Sequence, residues 1–276
     1  MKAKWFFVFL ALTLLQACSV TRLAYENADV YLRWQANSYF DFQGAQSEEL
    51  ERRLAAFLAW HRAKALPKYA RLGEEAAQRV LRGVKRQDLE WSYDAVRAQM
   101  AEAYSAAASQ GADLLDQLSP EQIAHLERRL AEENRKFAKE QLQGTMDERH
   151  KRRVKRNLEQ LEEWYGPLSE AQAERVRQHS ARAPFSAELR DRDRKRIQAE
   201  FVAILRAREA KQRLVQWVQQ WEAGREPAYA AASRAIRSEY YDLLLDLDRT
   251  FSSAQREHAA GRLKRYASLF ESLNRQ

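Results

Sequence analysis

Residues 89–130 read LEWSYDAVRAQMAEAYSAAASQGADLLDQLSPEQIAHLERRL, and the spacing inside this stretch decides the fold class. Leu89, Tyr93, Val96, Met100, Tyr104, Ala107, Gly111, Leu114 and Leu118 step by three and four, which lays one apolar stripe along a helix. Ser119 and Pro120 interrupt it, and Ile123, Leu126 and Leu130 start a second stripe at once. Two amphipathic helices joined by a tight turn bury their stripes against neighbours, as in a helical bundle.

The same period extends toward the C-terminus. Leu126 and Leu130 lead on to Phe137, followed by Val154, Leu158, Leu161 and Tyr165. Ile197, Phe201 and Leu205 form another stripe, then Leu214, Trp217 and Trp221. Ile236, Tyr240, Leu243 and Leu247 follow, and Leu263, Tyr266, Phe270 and Leu273 come last. No sustained period-two run occurs. Gly44, Gly83, Gly144, Gly166-Pro167, Pro184 and Gly224 fall between stripes, where helices end. Pro67 is expected to kink or break a helix begun near Ala45, because it cannot donate to the ladder. The expectation is all-α, with eight or nine amphipathic helices in a bundle or in stacked antiparallel hairpins. Eight Gly and five Pro in 276 residues agree with few turns, and most Trp and Tyr side chains are expected in the core.

A short pattern recurs at helix starts: LSPEQ at 118–122, LSEAQ at 168–172, FSSAQ at 251–255, and a degenerate FQGAQ at 42–46. Ser119, Ser169 and Ser252 stand at N-cap positions. Gln122, Gln172 and Gln255, three residues on, can return a hydrogen bond to the cap N–H and close a capping box. Each such cap contributes about 1 kcal/mol.

The first eighteen residues, MKAKWFFVFLALTLLQAC, have a different composition. Lys2 and Lys4 precede an apolar run from Trp5 to Leu15. Eleven residues fall short of the roughly 20 needed to span hydrocarbon, but suit a signal-peptide core. Leu15-Gln16-Ala17-Cys18 resembles the lipobox of bacterial lipoprotein precursors. The resemblance implies cleavage between Ala17 and Cys18, a diacylglycerol thioether on Cys18, and an acylated (palmitate-type) amine. It also implies, through Ser19, an outer-membrane anchor with the body facing the periplasm rather than inner-membrane retention. The expected organisation is a signal peptide over 1–17, a lipidated cysteine with a short tether over 18–25, and a helical domain over 26–276. If that domain divides, the break lies near 144–184.

Two further resemblances bear on function. The LSxxQ motif resembles the LTxxQ signature of Spy and CpxP-type periplasmic proteins, small helical chaperones or stress regulators. Cys18–Asp41 (CSVTRLAYENADVYLRWQANSYFD) and Leu58–Tyr69 (LAWHRAKALPKY) resemble an uncharacterised lipoprotein family of Gram-negative bacteria, a domain of unknown function. That likeness implies a helical lipoprotein and no particular reaction.

Candidates for chemistry are sparse. Cys18 is the single cysteine, so no intrachain disulfide and no CxxC site can form. His61, His125, His150, His179 and His258 show no metal-ligand spacing. His61 reads as a buried, hydrogen-bonded ring. No nucleophile elbow, P-loop or dinucleotide fingerprint occurs. No catalytic residue, metal or cofactor is therefore expected. The formal charge is +8, or +6 without Lys2 and Lys4, but acidic residues are mixed throughout, which argues against a nucleic-acid partner. Lys151, Arg152, Arg153, Lys155 and Arg156 form the densest basic run. They read either as a solvated face or as a contact for anionic lipid or an acidic client. The expected function is non-enzymatic: a lipid-anchored envelope protein that binds polypeptides or envelope components, in one form a Spy-like holdase, in another a structural adaptor. The alternative is an enzyme acting on envelope polymers through dispersed residues.

Overall fold

The computed structural model describes residues 21–275. Residues 1–17, expected as a signal peptide, and Cys18 lie outside them. The described residues are helical throughout, with no strand among them. A first helical stretch over 21–26 leads into α1 (Ala28–Phe40). There follow α2 (Ala45–Trp60), α3 (Leu66–Leu81), α4 (Arg86–Leu115), α5 (Pro120–Phe137), α6 (Met146–Tyr165), α7 (Glu170–Arg182), α8 (Ala187–Ala207), α9 (Ala210–Gln220), α10 (Pro227–Asp248) and α11 (Ser253–Asn274).

Among the described residues, eleven α-helices follow the first stretch where eight or nine were expected in all. Gly and Pro mark several of the boundaries, but two helices close on a left-handed residue that is not glycine. Asp41 closes α1 at φ 49° with its N–H on Asn37 O. Arg208 closes α8 at φ 53°; its own N–H reaches Leu205 O and that of Glu209 reaches Ile204 O. This is the six-to-one, five-to-two pattern that glycine usually completes. Pro67 departs from expectation in the other direction. A π turn over His61–Ala65 precedes it, with the Leu66 N–H on His61 O, and the helical path continues from α2 into α3. The wider turn accommodates the missing donor without ending the helix.

Three apolar clusters hold the helices together. Phe42, Leu50, Leu114, Leu118, Ile123, Leu126, Ile204, Leu205 and Leu214 join α2, α4, α5, α8 and α9. Leu161, Val176, Leu243, Leu247 and Phe251 join α6, α7 and α10, with Tyr165 stacked on Phe251 at 4.1 Å. Burial raises the Tyr165 phenol to about 12. Leu66, Leu269 and Leu273 join α3 to α11.

The stripe on α4 is only partly used. Leu114 is buried, yet Val96, Met100 and Tyr104 are 46–49% exposed. A 30-residue helix is about 45 Å long, and its neighbours leave this middle section uncovered. Trp34 is likewise exposed, against the expectation of a core aromatic. Residues 21–25, expected as a tether, are docked: Arg22 Nη2 donates to Ser272 Oγ at 2.8 Å, and the Tyr25 hydroxyl lies 2.9 Å from His61 Nδ1.

The four short motifs meet in two pairs. In the three serine copies the Ser Oγ accepts the Gln N–H, and the Gln Oε1 accepts the Ser N–H, at 2.9–3.3 Å. The Gln amides then cross to another copy. Gln172 and Gln255 exchange reciprocal hydrogen bonds of 3.1 Å, and each also donates to the loop before its partner, at Thr250 O and Pro167 O. Gln122 and Gln46 do the same at 2.7 and 3.3 Å, reaching Asp41 O and Gln117 O. The FQGAQ copy has no side-chain cap, since Gly44 occupies its N-cap, but it retains the glutamine.

Candidate cationic cleft

The helical period sorts the basic run of α6 into two faces. Arg149, Arg152, Arg153 and Arg156 recur at three and four residues and line one cavity of about 370 Å³. Lys151 and Lys155 point elsewhere and pair with Asp147 at 2.7 Å and Glu159 at 3.8 Å. Of the five cations singled out in sequence, three thus reach the cleft and two do not. Arg190 on α8 enters from the opposite wall. Phe137, Phe185, Ile236 and Leu243 add apolar surface, and Glu140 and Glu239 are the acidic side chains of the lining.

α6 is aimed by its own cap. Thr145 Oγ1 accepts the Glu148 N–H at 3.2 Å, and Glu148 Oε2 accepts the Thr145 N–H at 2.8 Å. This Thr-x-x-Glu capping box was not among those singled out in the sequence, though its spacing is the same local signal. Arg153 then fixes the far wall. Its guanidinium donates to Ser180 O at 3.2 Å, Ala183 O at 2.5 Å and Pro184 O at 3.1 Å, and lies 3.8 Å over the Phe185 ring. Those carbonyls end α7, where the helix dipole is negative and the orphan acceptors need donors. Burial, with Arg156 and Arg149 nearby, lowers the Arg153 pKa.

Arg153 is consequently committed to holding the walls. Its neighbours keep spare donors. Arg149 Nη1 binds Glu188 at 2.6 Å, while its Nη2 is buried without a partner. Arg152 reaches Gln143 O at 2.6 Å and makes no ion pair among the described residues. Arg156 and Arg190 likewise make none there, although Arg190 sits 5.5 Å over Phe137. Glu239 cannot neutralise them, because Arg182 Nε holds it at 2.9 Å and His179 Nδ1 at 2.6 Å. His179 Nε2 faces Asp246 at 3.4 Å, and Arg175 holds that carboxylate at 2.6 Å. The Asp246 pKa is lowered, chiefly by the Arg175 hydrogen bond.

Several guanidiniums facing few free carboxylates raise the local potential, and the recess limits screening. The arrangement suits an anionic group presented beside an apolar one. It does not assemble a metal site: no cluster of three His, Cys, Asp or Glu suitable for a metal occurs among the described residues. Sequence spacing could have separated the arginine face from the lysine face. Nothing local announced Arg190 or Phe185, which tertiary packing brings in.

A family match covers residues 38–230. The chain belongs to DUF6279, a family of unknown function. The matched span includes Leu58–Tyr69 and every arginine of the cleft. Most of Cys18–Asp41 precedes it, and α11 follows it, although α11 packs along the family's own α3. No curated protein and no solved structure matches this DUF6279 chain.

Proposed function

We propose that this protein is a lipid-anchored component of the bacterial envelope that binds, without catalysis, an anionic group of a polypeptide or envelope component in the α6–α7–α8–α10 cleft. The observation that carries the reading is that Arg152, Arg156 and Arg190 line one recess without an ion pair among the described residues, with a spare donor at Arg149 Nη2 beside them. The lipobox-like Leu15–Cys18 supports the address, as does the signal-like charge and hydropathy before it. No helix among the described residues is long and apolar enough to cross a membrane; in this reading the attachment is through Cys18. A Spy-like holdase is the most concrete form of the activity, with the acidic side chains of an unfolded client as the anionic group.

An enzymatic reading would have to employ His179 and Glu239. Both ring nitrogens of His179 lie against carboxylates, and arginines hold those carboxylates in turn. That geometry favours a structural hub over a free general base.

Suppression of aggregation of an unfolded acidic client, such as reduced α-lactalbumin, tests the proposal. Arg152→Glu with Arg156→Glu should weaken suppression about tenfold or more, since each lost charge-assisted contact costs about 1.5 kcal/mol. Lys151→Glu with Lys155→Glu should change it little. Equal loss from both pairs, or no suppression by the folded protein at several-fold excess, removes the cleft reading. The anchor has a separate test: labelled palmitate should enter the protein, and Cys18→Ala should release it from membranes.

A further inference from the structure

The first helical segment is apolar on two opposite faces. Ala36, Tyr39 and Phe40 pack into the largest cluster, which accounts for one of them. Outside that cluster, Leu23, Val30, Tyr31 and Trp34 are 50–62% exposed. Within α1, Val30 and Trp34 lie four residues apart and share a face, with Tyr31 beside them. Leu23 is exposed on the helical stretch before Asn27, whose φ −107° and ψ 19° interrupt the period. Asn27, at the junction of the two helical stretches, turns its amide back onto Leu23 O at 2.7 Å. The Tyr31 and Trp34 rings lie 6.0 Å apart. A large apolar face of this kind, outside the core, calls for a cover.

We propose that this face seats in the interfacial layer of the bilayer that holds the Cys18 anchor. The inference rests on the anchored reading above and adds an orientation to it. Chain length argues for the bilayer as occupant. Arg22 is fixed to Ser272 and Tyr25 to His61, so the stretch that carries Leu23 belongs to the rigid body. Cys18 lies four residues before Arg22, a reach of at most about 14 Å. The acyl chains therefore enter the membrane within one helix diameter or so of Leu23. The chemistry agrees. Trp and Tyr favour the level of the headgroups, and a helix lying in that plane buries its apolar side a few ångströms deep. Within α1, Asp29 stands off the Val30–Trp34 line, so it need not enter hydrocarbon.

The acylated full-length protein carries no free thiol in this reading, so a single introduced cysteine takes a nitroxide label. Val30→Cys, Trp34→Cys and, as a control on α6, Lys155→Cys would be reconstituted in phosphatidylethanolamine–phosphatidylglycerol vesicles. Labels at 30 and 34 should collide with oxygen in preference to an aqueous nickel chelate, and the label at 155 should show the reverse. Labels at 30 and 34 as open to nickel as the one at 155, in protein shown to be acylated and vesicle-bound, would overturn the proposal. So would spin–spin broadening with oxygen excluded, which would assign the face to a second copy of the chain. Mass spectrometry separates failure of the anchor: an unacylated Cys18 that takes the label overturns the anchored reading, and this orientation with it.

Discussion

Gln172 shows how much one side chain can be asked to do. It is 3% exposed, closes the cap of α7, exchanges hydrogen bonds with Gln255 and donates to Thr250 O. Truncating it removes the acceptor of the Ser169 N–H, one partner of the Gln255 amide and the donor to Thr250 O at a part-buried seam, and loses the packing of a side chain that is itself buried. Gln172→Ala should destabilise the protein by about 2–3 kcal/mol in urea unfolding. Gln255→Ala should cost about 1–2 kcal/mol. The double variant should cost less than the sum, by about 1 kcal/mol, because the second change removes a group that has already lost one partner. Strict additivity would show that the reciprocal pair contributes nothing beyond two independent caps. The Ser-x-x-Gln spacing made each cap readable from sequence, since a capping box is local. The pairing of 172 with 255, and of 122 with 46, joins helix starts far apart in the chain, and no local spacing encodes which copy meets which.

At the scale of elements, the most extensive helix–helix contact is between α3 and α11. A Cβ built on Gly73 would lie 3.2 Å from Ala267 Cβ and 3.2 Å from Leu263 O. Small residues here let the two helices run together, and Ala70, Ala77, Ala260 and Ala267 are buried along the same contact. Gly73→Ala gains up to about 1 kcal/mol of helix propensity but must push α11 outward by a few tenths of an ångström, so its net effect should be small. Gly73→Leu should lower stability by about 2–3 kcal/mol, because a branched chain meets backbone that cannot yield. Thermal unfolding of the two variants checks the contrast; a neutral Gly73→Leu would mean that the helices are not in intimate contact. The stripes of both helices were plain in the sequence. That α3 takes α11 as its partner was not, nor that Val96, Met100 and Tyr104 on α4 would stay uncovered. Periodicity tells which residues share a face, but burial depends on whether another element reaches that face.

Across the whole molecule, acid should act in two separate windows. His61, in the π turn, sits among Tyr25, Phe57 and Tyr69, and burial lowers its pKa. A group with a folded pKa below its unfolded value of about 6.5 holds its full stabilising effect above that value, and the effect is lost as pH falls through the folded pKa. Asp88 belongs to a lower window. Its burial alone would raise the pKa, yet the Lys85 N–H at 2.9 Å and Arg82 and Arg79 at 2.6 Å outweigh it and the net shift is downward. Asp246 is lowered as well. The stability due to these two carboxylates is complete above about pH 4, where unfolded Asp ionises, and fades as pH drops toward their depressed folded values. The melting temperature should therefore decline gently from pH 7.5 to 5.5 and steeply below pH 4. His61→Phe should be less stable than the parent at pH 7.5, having left the Tyr25 hydroxyl without its partner, but its decline between pH 7.5 and 5.5 should be shallower. Asp88→Asn should leave the upper window unchanged and blunt the lower one. Since His61 meets Tyr25 ahead of the family match and Tyr69 inside it, and Phe270 of α11 lies 5.8 Å from Tyr69, the upper window reports on how the two chain ends are sewn to the family core. An unchanged pH 5.5–7.5 slope in His61→Phe would mean that protonation of this ring does not govern that seam.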